Sequence, residues 1–180
     1  MKPKFNAKEL RDMPEQANLN DIPRSPMYLI LDGVYDTYNI GGLFRLSDAL
    51  AVRKLYICGD SETPPNHRIK KASIGTYKVV PWEYKETAVE AIKELRKQEP
   101  QLQVVSVELA DNAVPYTEID YTAPVAIVVG NETSGVTQEA MNASDCIAQL
   151  PMHGYNISLN VIVSAAIVSY HAHGHLHRKY

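Results

Sequence analysis

Cysteine, long apolar runs and a surplus of positive charge are all scarce in this 180-residue chain. Its two cysteines, Cys58 and Cys146, stand far apart, and each borders a short apolar run. That number and spacing give no indication of a disulfide framework or a zinc site, and they favour two buried free thiols. No apolar run reaches the roughly 20 residues that cross a bilayer, and the first residues carry mixed charge without an apolar signal core. We therefore expect a cytoplasmic protein with no membrane partner.

The charge balance is slightly acidic, because 18 Lys and Arg stand against 21 Asp and Glu, for a formal net charge of −3. Phosphate neutralisation needs local Lys and Arg, so this balance argues mildly against a strongly nucleic-acid-binding chain. Basic clusters nevertheless occur at residues 2–11, 53–54, 67–71 and 178–179. Such clusters are more often solvated faces than binding patches. Only residues 67–71 are dense enough to predict a patch.

Short apolar runs alternate with helical periodicity along most of the chain, whose apolar content is 45%. We predict strands at 27–31, 54–58, 77–80, 101–109, 125–129 and 146–150. Helices are predicted near 7–13, from Asn39 as N-cap to residue 50, at 83–98, and after 156–160. The alternation predicts an α/β fold with a mostly parallel sheet and helices on both faces. Residues 59–76 are predicted to be a long functional or mobile loop.

Three polar segments interrupt this apolar pattern, and the first is residues 39–45, NIGGLFR. Its paired glycines would open the start of a helix to close backbone approach, and the free N–H groups there favour an anion. Arg45 would project near the same end and could clamp a phosphate. The alternative is a weak surface pair between Arg45 and Asp48, and this alternative is favoured when the segment is taken alone.

The second segment is GNETSG at residues 130–135, directly after the buried run 125–129. In open α/β sheets ligands bind outside the carboxyl ends of the strands, so Gly130, Asn131, Glu132 and Gly135 occupy an expected cofactor position. The alternative is a strand-to-helix turn with Thr137 as the N-cap of the next helix.

The third segment is NISLN at residues 156–160, which precedes a helix that is apolar or small almost all round. Ser158 and Asn160 are by default caps of that helix, and they could instead face a ligand. A helix with no polar face is buried in the core or in a subunit contact.

Taken in this order, the segments resemble those of the SPOUT superfamily of methyltransferases, in particular its SpoU/TrmH branch of RNA ribose 2′-O-methyltransferases. Members carry an N-x-G-[AG]-x-x-R segment, then G-N-E-x-x-G, then P-M-x-G followed by S-L-N-V. These patterns stand here at residues 39–45, 130–135, 151–154 and 158–161. The resemblance covers residues 27–170, and Thr133 stands where many members have glycine.

The resemblance implies a trefoil knot in the C-terminal region, S-adenosyl-L-methionine held in that knot, and a homodimer. Carried over by position, the residues implied to bind the cofactor are Val129, Gly130, Asn131, Leu150, Met152 and Leu159. Arg45 would be the central catalytic residue, either as the general base that the family mechanism assigns or as a grip on an RNA phosphate. Those implied to assist it are Asn39, Glu132, Ser158 and Asn160.

The expected function is therefore transfer of a methyl group to a ribose 2′-hydroxyl of RNA, with tRNA favoured over rRNA. The alternatives are a non-catalytic RNA-binding protein on the same scaffold and a methyltransferase that acts on a small molecule or a protein. We expect an extension at 1–26, the methyltransferase domain at 27–173 and a tail at 174–180. Target recognition would come from the extension, the 59–76 loop and the dimer surface. The histidine-rich tail is expected to be basic and solvated, after a helix that ends at Gly174, rather than a metal site.

Overall fold

The computed structural model describes residues 5–15 and 22–178 of the chain. Seven strands form one sheet in the order β3-β2-β1-β6-β4-β7-β5, and every neighbouring pair is parallel. The strands are β1 (Ser25–Asp32), β2 (Val52–Cys58), β3 (Trp82–Lys85), β4 (Gln103–Val107), β5 (Val114–Pro115), β6 (Val125–Gly130) and β7 (Cys146–Gln149). The helices are α1 (Ala7–Asp12), α2 (Thr37–Ala49), α3 (His67–Ser73), α4 (Ala88–Gln98), α5 (Gln138–Asn142) and α6 (Val161–Arg178). The predicted α/β fold with a parallel sheet is confirmed.

The centre of the sheet is buried on both faces. All six residues of β6 are buried, as expected for a continuous apolar run in a parallel sheet. One apolar cluster joins that sheet to α2 and α6 and includes Leu31 and Phe44. A second cluster, which includes Ile30 and Ile92, lies on the other face under α4. Because helices cover both faces, ligands have access to the sheet at the carboxyl ends of its strands.

Helix α2 begins earlier than the sequence predicts. Asp36, and not Asn39, is its N-cap, because the Asp36 side chain accepts a 2.7 Å hydrogen bond from the backbone N–H of Tyr38. The Ile40 N–H already bonds to the Asp36 carbonyl at 2.9 Å, so Asn39 lies inside the first turn. The prediction of Asn39 as N-cap is wrong, and its side chain is available for tertiary contacts.

The glycine pair of α2 serves helix packing. A Cβ on Gly41 would stand 2.4 Å from Ala72 Cβ of α3, and a Cβ on Gly42 would stand 2.4 Å from Ile162 Cδ1 of α6. Both glycines lie past the turn whose N–H groups are free, so the predicted anion site at their backbone is wrong. The two glycines instead allow α3 and α6 to pack closely against α2.

Residues 59–85 differ most from the sequence-based expectation. The predicted 59–76 loop contains α3, which is capped by the Asn66 side chain. The predicted strand at 77–80 is a short 3₁₀ helix, Thr76–Lys78, and the strand is instead β3, which pairs with β2 at the sheet edge. The predicted helix 83–98 therefore starts only at Ala88, with Thr87 as its cap. A four-residue apolar run cannot distinguish these alternatives, because long-range pairing decides between them.

The two ends of the described chain are helical. The predicted helix near 7–13 is confirmed as α1, while Lys2 and Lys4 of the predicted basic cluster lie outside the described residues. The prediction that Gly174 ends the last helix is wrong, because α6 continues to Arg178 with Ala172 and Leu176 buried on either side. Within the described ranges, none of the helices has both the length and the apolar character needed to cross a lipid bilayer.

Candidate active site at the carboxyl end of the sheet

A cavity of about 530 Å³ opens where β4, β6 and β7 end. Three connecting segments supply much of its wall: residues 107–109 after β4, residues 129–135 after β6, and residues 156–161 before α6. Each residue that the sequence predicts to bind a cofactor lines this cavity: Val129, Gly130, Asn131, Leu150, Met152 and Leu159. Apolar side chains and exposed peptide groups therefore face the same space, a combination that suits a nucleoside-sized ligand.

The loop after β6 is a tight, internally bonded turn. The Asn131 N–H donates to the Gly135 carbonyl at 3.2 Å, and the Gly135 N–H returns a 3.1 Å bond to the Asn131 carbonyl. The Asn131 Oδ1 accepts from the N–H groups of Thr133 at 2.8 Å and Ser134 at 2.7 Å. Because its side chain is used inside the turn, Asn131 shapes the cavity wall chiefly through its backbone.

Close backbone approach explains both glycines of this loop. A Cβ on Gly130 would stand 1.9 Å from the Gly135 carbonyl carbon. Gly135 has φ +69°, and a Cβ there would stand 2.0 Å from Glu108 Oε2. Any side chain at either position would force the turn away from the ends of β4 and β6.

Two carboxylates that the sequence analysis missed hold this turn in position. Glu108 follows β4, and its Oε2 accepts a 2.8 Å hydrogen bond from the Val136 N–H. Asp32 ends β1 and is only 6% exposed, and its Oδ2 accepts from the Thr137 N–H at 2.8 Å and the Thr137 hydroxyl at 2.7 Å. Thr137 also caps α5, as predicted. Both carboxylates could have been identified from the sequence, because each is an acidic residue at the carboxyl end of a predicted buried strand.

The three polar segments meet through their side chains. Asn39 Nδ2 donates a hydrogen bond to Glu132 Oε1, and Asn160 Nδ2 donates to Asn39 Oδ1 at 3.0 Å. The Asn160 Oδ1 in turn accepts a 2.9 Å bond from the Ile162 N–H, at the start of α6. Asn39 is 5% exposed, whereas Glu132 is exposed and lines the cavity. Ser158 lies on the cavity wall beside them.

Arg45 stands apart from this group within the single chain. It is exposed on α2, it does not line the cavity, and it makes no hydrogen bond or ion pair with any described residue, Asp48 included. Gly42, one turn earlier on the same helix, packs against Ile162, so Arg45 lies on the side of α2 that faces α6. The structure therefore brings together Asn39, Glu132 and Asn160, and it leaves the Arg45 guanidinium available to an external anion.

The cysteines are unsuited to nucleophilic chemistry. Both are free, with Cys58 buried and Cys146 half-buried. Burial, reinforced by the Asp32 carboxylate, raises the pKa of Cys58 to about 12, and burial also raises the pKa of Cys146. Each is therefore a neutral thiol at ordinary pH. In the described part of the chain, no group of three or more His, Cys, Asp or Glu side chains could hold a metal ion.

Comparison with known proteins gives consistent matches. The model of the SpoU rRNA Methylase family matches residues 26–170. The tRNA (guanosine(18)-2'-O)-methyltransferase of Escherichia coli (strain K12) is 32% identical over 145 residues, which cover 79% of this chain and 60% of that protein. The 23S rRNA (guanosine-2'-O-)-methyltransferase RlmB of Vibrio parahaemolyticus is 30% identical over 168 residues, which cover 88% of this chain and 65% of that protein. The chain thus spans less than two thirds of the length of these two relatives.

Two solved structures share the fold. The TrmH/SpoU tRNA modifying enzyme of A. aeolicus superposes with a TM-score of 0.76 at 28% identity, covering 96% of this chain and 83% of that chain. An AdoMet-bound rRNA methyltransferase from Sinorhizobium meliloti superposes with a TM-score of 0.77 at 28% identity, covering 93% of this chain and 60% of that chain.

Proposed function

Because the chain belongs to the SpoU rRNA methylase family, we propose that it transfers a methyl group from S-adenosylmethionine to a ribose 2′-hydroxyl of RNA. The observation that carries the proposal is the junction of Asn39, Glu132 and Asn160, which joins three separate polar segments beside one cavity. A structural turn and two helix caps would not require these side chains to bond to one another. A shared site does require it.

The cavity fits a bound S-adenosylmethionine. Backbone groups of residues 129–131 would hold its polar edge, while Leu150, Met152 and Leu159 would pack against its apolar parts. When bound, the cofactor supplies an electrophilic methyl group on a sulfonium. The protein must then align the ribose hydroxyl with that methyl and assist loss of the hydroxyl proton.

The junction provides the groups for alignment. Asn39 donates to Glu132 and accepts from Asn160, so its amide orients both side chains at once. The exposed Glu132 carboxylate would accept a hydrogen bond from a ribose hydroxyl, and Ser158 would offer a hydroxyl from the segment before α6.

Arg45 would grip the RNA phosphate adjacent to the target ribose and stabilise negative charge as the hydroxyl loses its proton. Its exposure and its lack of a carboxylate partner in the described ranges support this role. A guanidinium remains protonated in proteins, which favours this electrostatic role over that of a general base.

We favour tRNA over rRNA as the substrate and the cytoplasm as the location. Relatives include both tRNA and 23S rRNA enzymes. Among the solved structures, the chain covers 83% of the tRNA modifying enzyme of A. aeolicus, and this high coverage favours tRNA. We further propose a trefoil knot in the C-terminal region, where the segments after β6 and β7 share one cavity wall with the start of α6.

A homodimer is the proposed assembly. On α6, Val163 is 43% exposed and Tyr170 is 54% exposed, although the helix is apolar along most of its length. An exposed apolar face of this kind is typical of a subunit contact. Because α2 packs against α6, contact between two copies along α6 would also bring residues of the second chain close to Arg45 on α2.

The test is incorporation of labelled methyl groups from S-adenosylmethionine into bulk tRNA, bulk rRNA and bulk protein. Label in RNA that is recovered as 2′-O-methylnucleoside supports the proposal. Label in protein, or RNA binding without label, would replace it with one of the two alternative functions. Mapping the ribose methylations that disappear when the gene is deleted would then identify the target nucleotide.

A further inference from the structure

Five exposed cations on two helices have no carboxylate partner among the described residues. Several cations on other elements are paired: Arg53 contacts Glu99, Lys54 Nζ lies 3.0 Å from Glu83, and Arg96 lies 3.0 Å from Asp145. The unpaired group, here called the α1–α3 surface, comprises Lys8, Arg11, Arg68, Lys70 and Lys71. Helix α3 carries three of these cations and no carboxylate, whereas Lys8 and Arg11 share α1 with the exposed Glu9 and Asp12. Five cations against two carboxylates leave the two helices a net charge of +3, which in a chain of net charge −3 is available for an external anion.

A buried lysine holds α1 in place. The side chain of Lys78 is only 4% exposed, and its Nζ donates hydrogen bonds to the Met13 carbonyl and, at 3.0 Å, to the Arg11 carbonyl. Its charge is balanced by Glu15 at 3.7 Å, which also accepts a 2.7 Å bond from the Tyr77 hydroxyl. Burying an ammonium group is costly, so this contact commits the N-terminal helix to one position.

That position is beside the end of α3. A Cβ on Gly75, two residues past α3, would stand 2.7 Å from the Leu10 carbonyl and 3.0 Å from the Arg11 nitrogen. Arg11 therefore lies near the last turn of α3, which carries Lys70 and Lys71. The C-terminal ends of α1 and α3 therefore lie on either side of the segment around Gly75.

Helix α3 packs against α2, the helix that carries Asn39. Ala72, which follows Lys71 directly, packs against Gly41, and Gly41 is two residues from Asn39 in α2. The last turn of α3, which carries Lys70 and Lys71, therefore packs on the first half of α2, on a different side of that helix from Asn39. Lys70 and Lys71 also suit a helix C-terminus, as does Arg11 in the last turn of α1, but that preference does not account for Lys8 and Arg68, which lie in the first turns of the two helices.

We propose that the α1–α3 surface binds the phosphate backbone of the RNA substrate next to the ribose that is methylated, and that Lys78 is a positioning residue that holds α1 in this surface. The inference rests on the proposed function. The five side chains are cations spread over two elements, and lysine and arginine are the usual partners of phosphate oxygens, so they suit contact with the RNA backbone.

The test measures binding of bulk tRNA to the full chain between roughly 50 and 200 mM salt, an interval over which phosphate contacts weaken strongly. We expect Lys70→Ala/Lys71→Ala to lower affinity roughly tenfold and to reduce the salt slope by about one per lysine removed. Lys8→Ala/Arg11→Ala should act in the same direction. Binding of S-adenosylmethionine should be unchanged in both variants, because neither pair lines the cavity.

Lys93→Ala/Lys97→Ala is the matched control. These two lysines are also exposed and unpaired among the described residues, but α4 lies on the opposite face of the sheet. An equal loss of affinity in the control and in Lys70→Ala/Lys71→Ala would show that only net charge matters, and it would overturn the proposal. Unchanged affinity in both variants would also overturn it. If instead the unmodified chain methylates no RNA, the proposed function fails, which is a separate outcome.

Lys78→Met separates positioning from charge. We expect faster backbone hydrogen exchange in residues 5–15 and RNA affinity reduced to the level of Lys8→Ala/Arg11→Ala, because α1 loses its hold on the surface. Full RNA affinity together with an undocked α1 would show that α1 plays no part. If Lys78→Met does not fold, the exposed Lys8→Ala/Arg11→Ala pair decides the same question.

Discussion

Asn160 Nδ2 donates a 3.0 Å hydrogen bond to Asn39 Oδ1 across 121 positions of sequence. The bond joins the first turn of α2 to the residue before α6, and the other end of the Asn39 amide holds Glu132. An amide is suited to this place because it donates on one side and accepts on the other, which neither a carboxylate nor a hydrocarbon can do.

Asn39→Ala should therefore lower the rate of methyl transfer by about a hundredfold, because Glu132 and Asn160 lose their common partner. Binding of S-adenosylmethionine should persist, since Asn39 does not line the cavity. Single-turnover rates and calorimetric binding measure the two effects. Asn39→Asp should be at least as damaging, because it sets a carboxylate against Glu132. A normal rate in Asn39→Asp would contradict this account.

Gly135→Ala should destabilise the protein by about 2 kcal/mol and weaken S-adenosylmethionine binding at least tenfold. The added methyl would meet Glu108 Oε2 at 2.0 Å, at a residue with φ +69°. Gly154→Ala is the control, since a Cβ there meets nothing within 4 Å, and its stability should change by less than about 0.5 kcal/mol. If urea unfolding gave equal free energies for the two variants, the close approach to Glu108 would not be the reason that position 135 requires glycine.

Arg45→Ala should reduce methyl transfer roughly a thousandfold or more while S-adenosylmethionine still binds, because a guanidinium that contacts substrate acts only on the transfer step. Arg45→Lys retains a positive charge but loses the planar fork that grips a phosphate, so a large loss of rate is expected there as well. A nearly full rate in Arg45→Lys with an unchanged pH profile would refute the specific need for arginine.

Alkaline pH should destabilise the fold partly through Cys58. Burial raises its pKa from 9.0 to about 12, so the folded protein needs the neutral thiol. Its contribution to stability is complete below the ordinary thiol pKa and is lost progressively as the pH rises from about 9 towards 12. Between about pH 8 and about pH 10 this group should remove about 1 kcal/mol from the free energy of unfolding. Cys58→Ala should show a shallower decline over that interval, and an identical decline would assign the loss to other groups.

Gly174→Ala should stabilise the protein by about 0.5–1 kcal/mol, because alanine loses less backbone entropy than glycine inside a helix. A Cβ at position 174 meets nothing within 4 Å, and α6 continues past it to Arg178. Urea unfolding measures the change. A loss of stability would instead support a helix that ends at Gly174, where a left-handed glycine would resist substitution.

Several features of the fold were predictable from the sequence because they depend on local pattern. The runs in β1 and β6 are apolar at successive positions and bounded by turn residues, a pattern that favours a strand buried on both faces. The order of strands and helices then indicates a parallel sheet. The three polar segments, at residues 39–45, 130–135 and 156–160, follow from residue types and spacing alone.

Local pattern failed wherever a distant contact set the conformation. Residues 77–80 carry an apolar run, yet the strand is Trp82–Lys85, because pairing with β2 decides which segment lies at the sheet edge. Asp36 rather than Asn39 caps α2, which leaves Asn39 for the junction with Glu132. Both residues are good caps, so their order in the helix could not be inferred from residue type.

The sequence by itself determined which residues could make the site, because turns, apolar strands and polar segments can each be recognised from a few consecutive residues. The tertiary structure decided which of them meet. Asn39, Glu132 and Asn160 are joined by hydrogen bonds, and Glu108 and Asp32 hold the turn after β6 in position. Arg45 stays exposed on the side of α2 that faces α6. Hydrogen bonds between distant residues depend on the register of strands and the packing of helices, and those are properties of the whole fold.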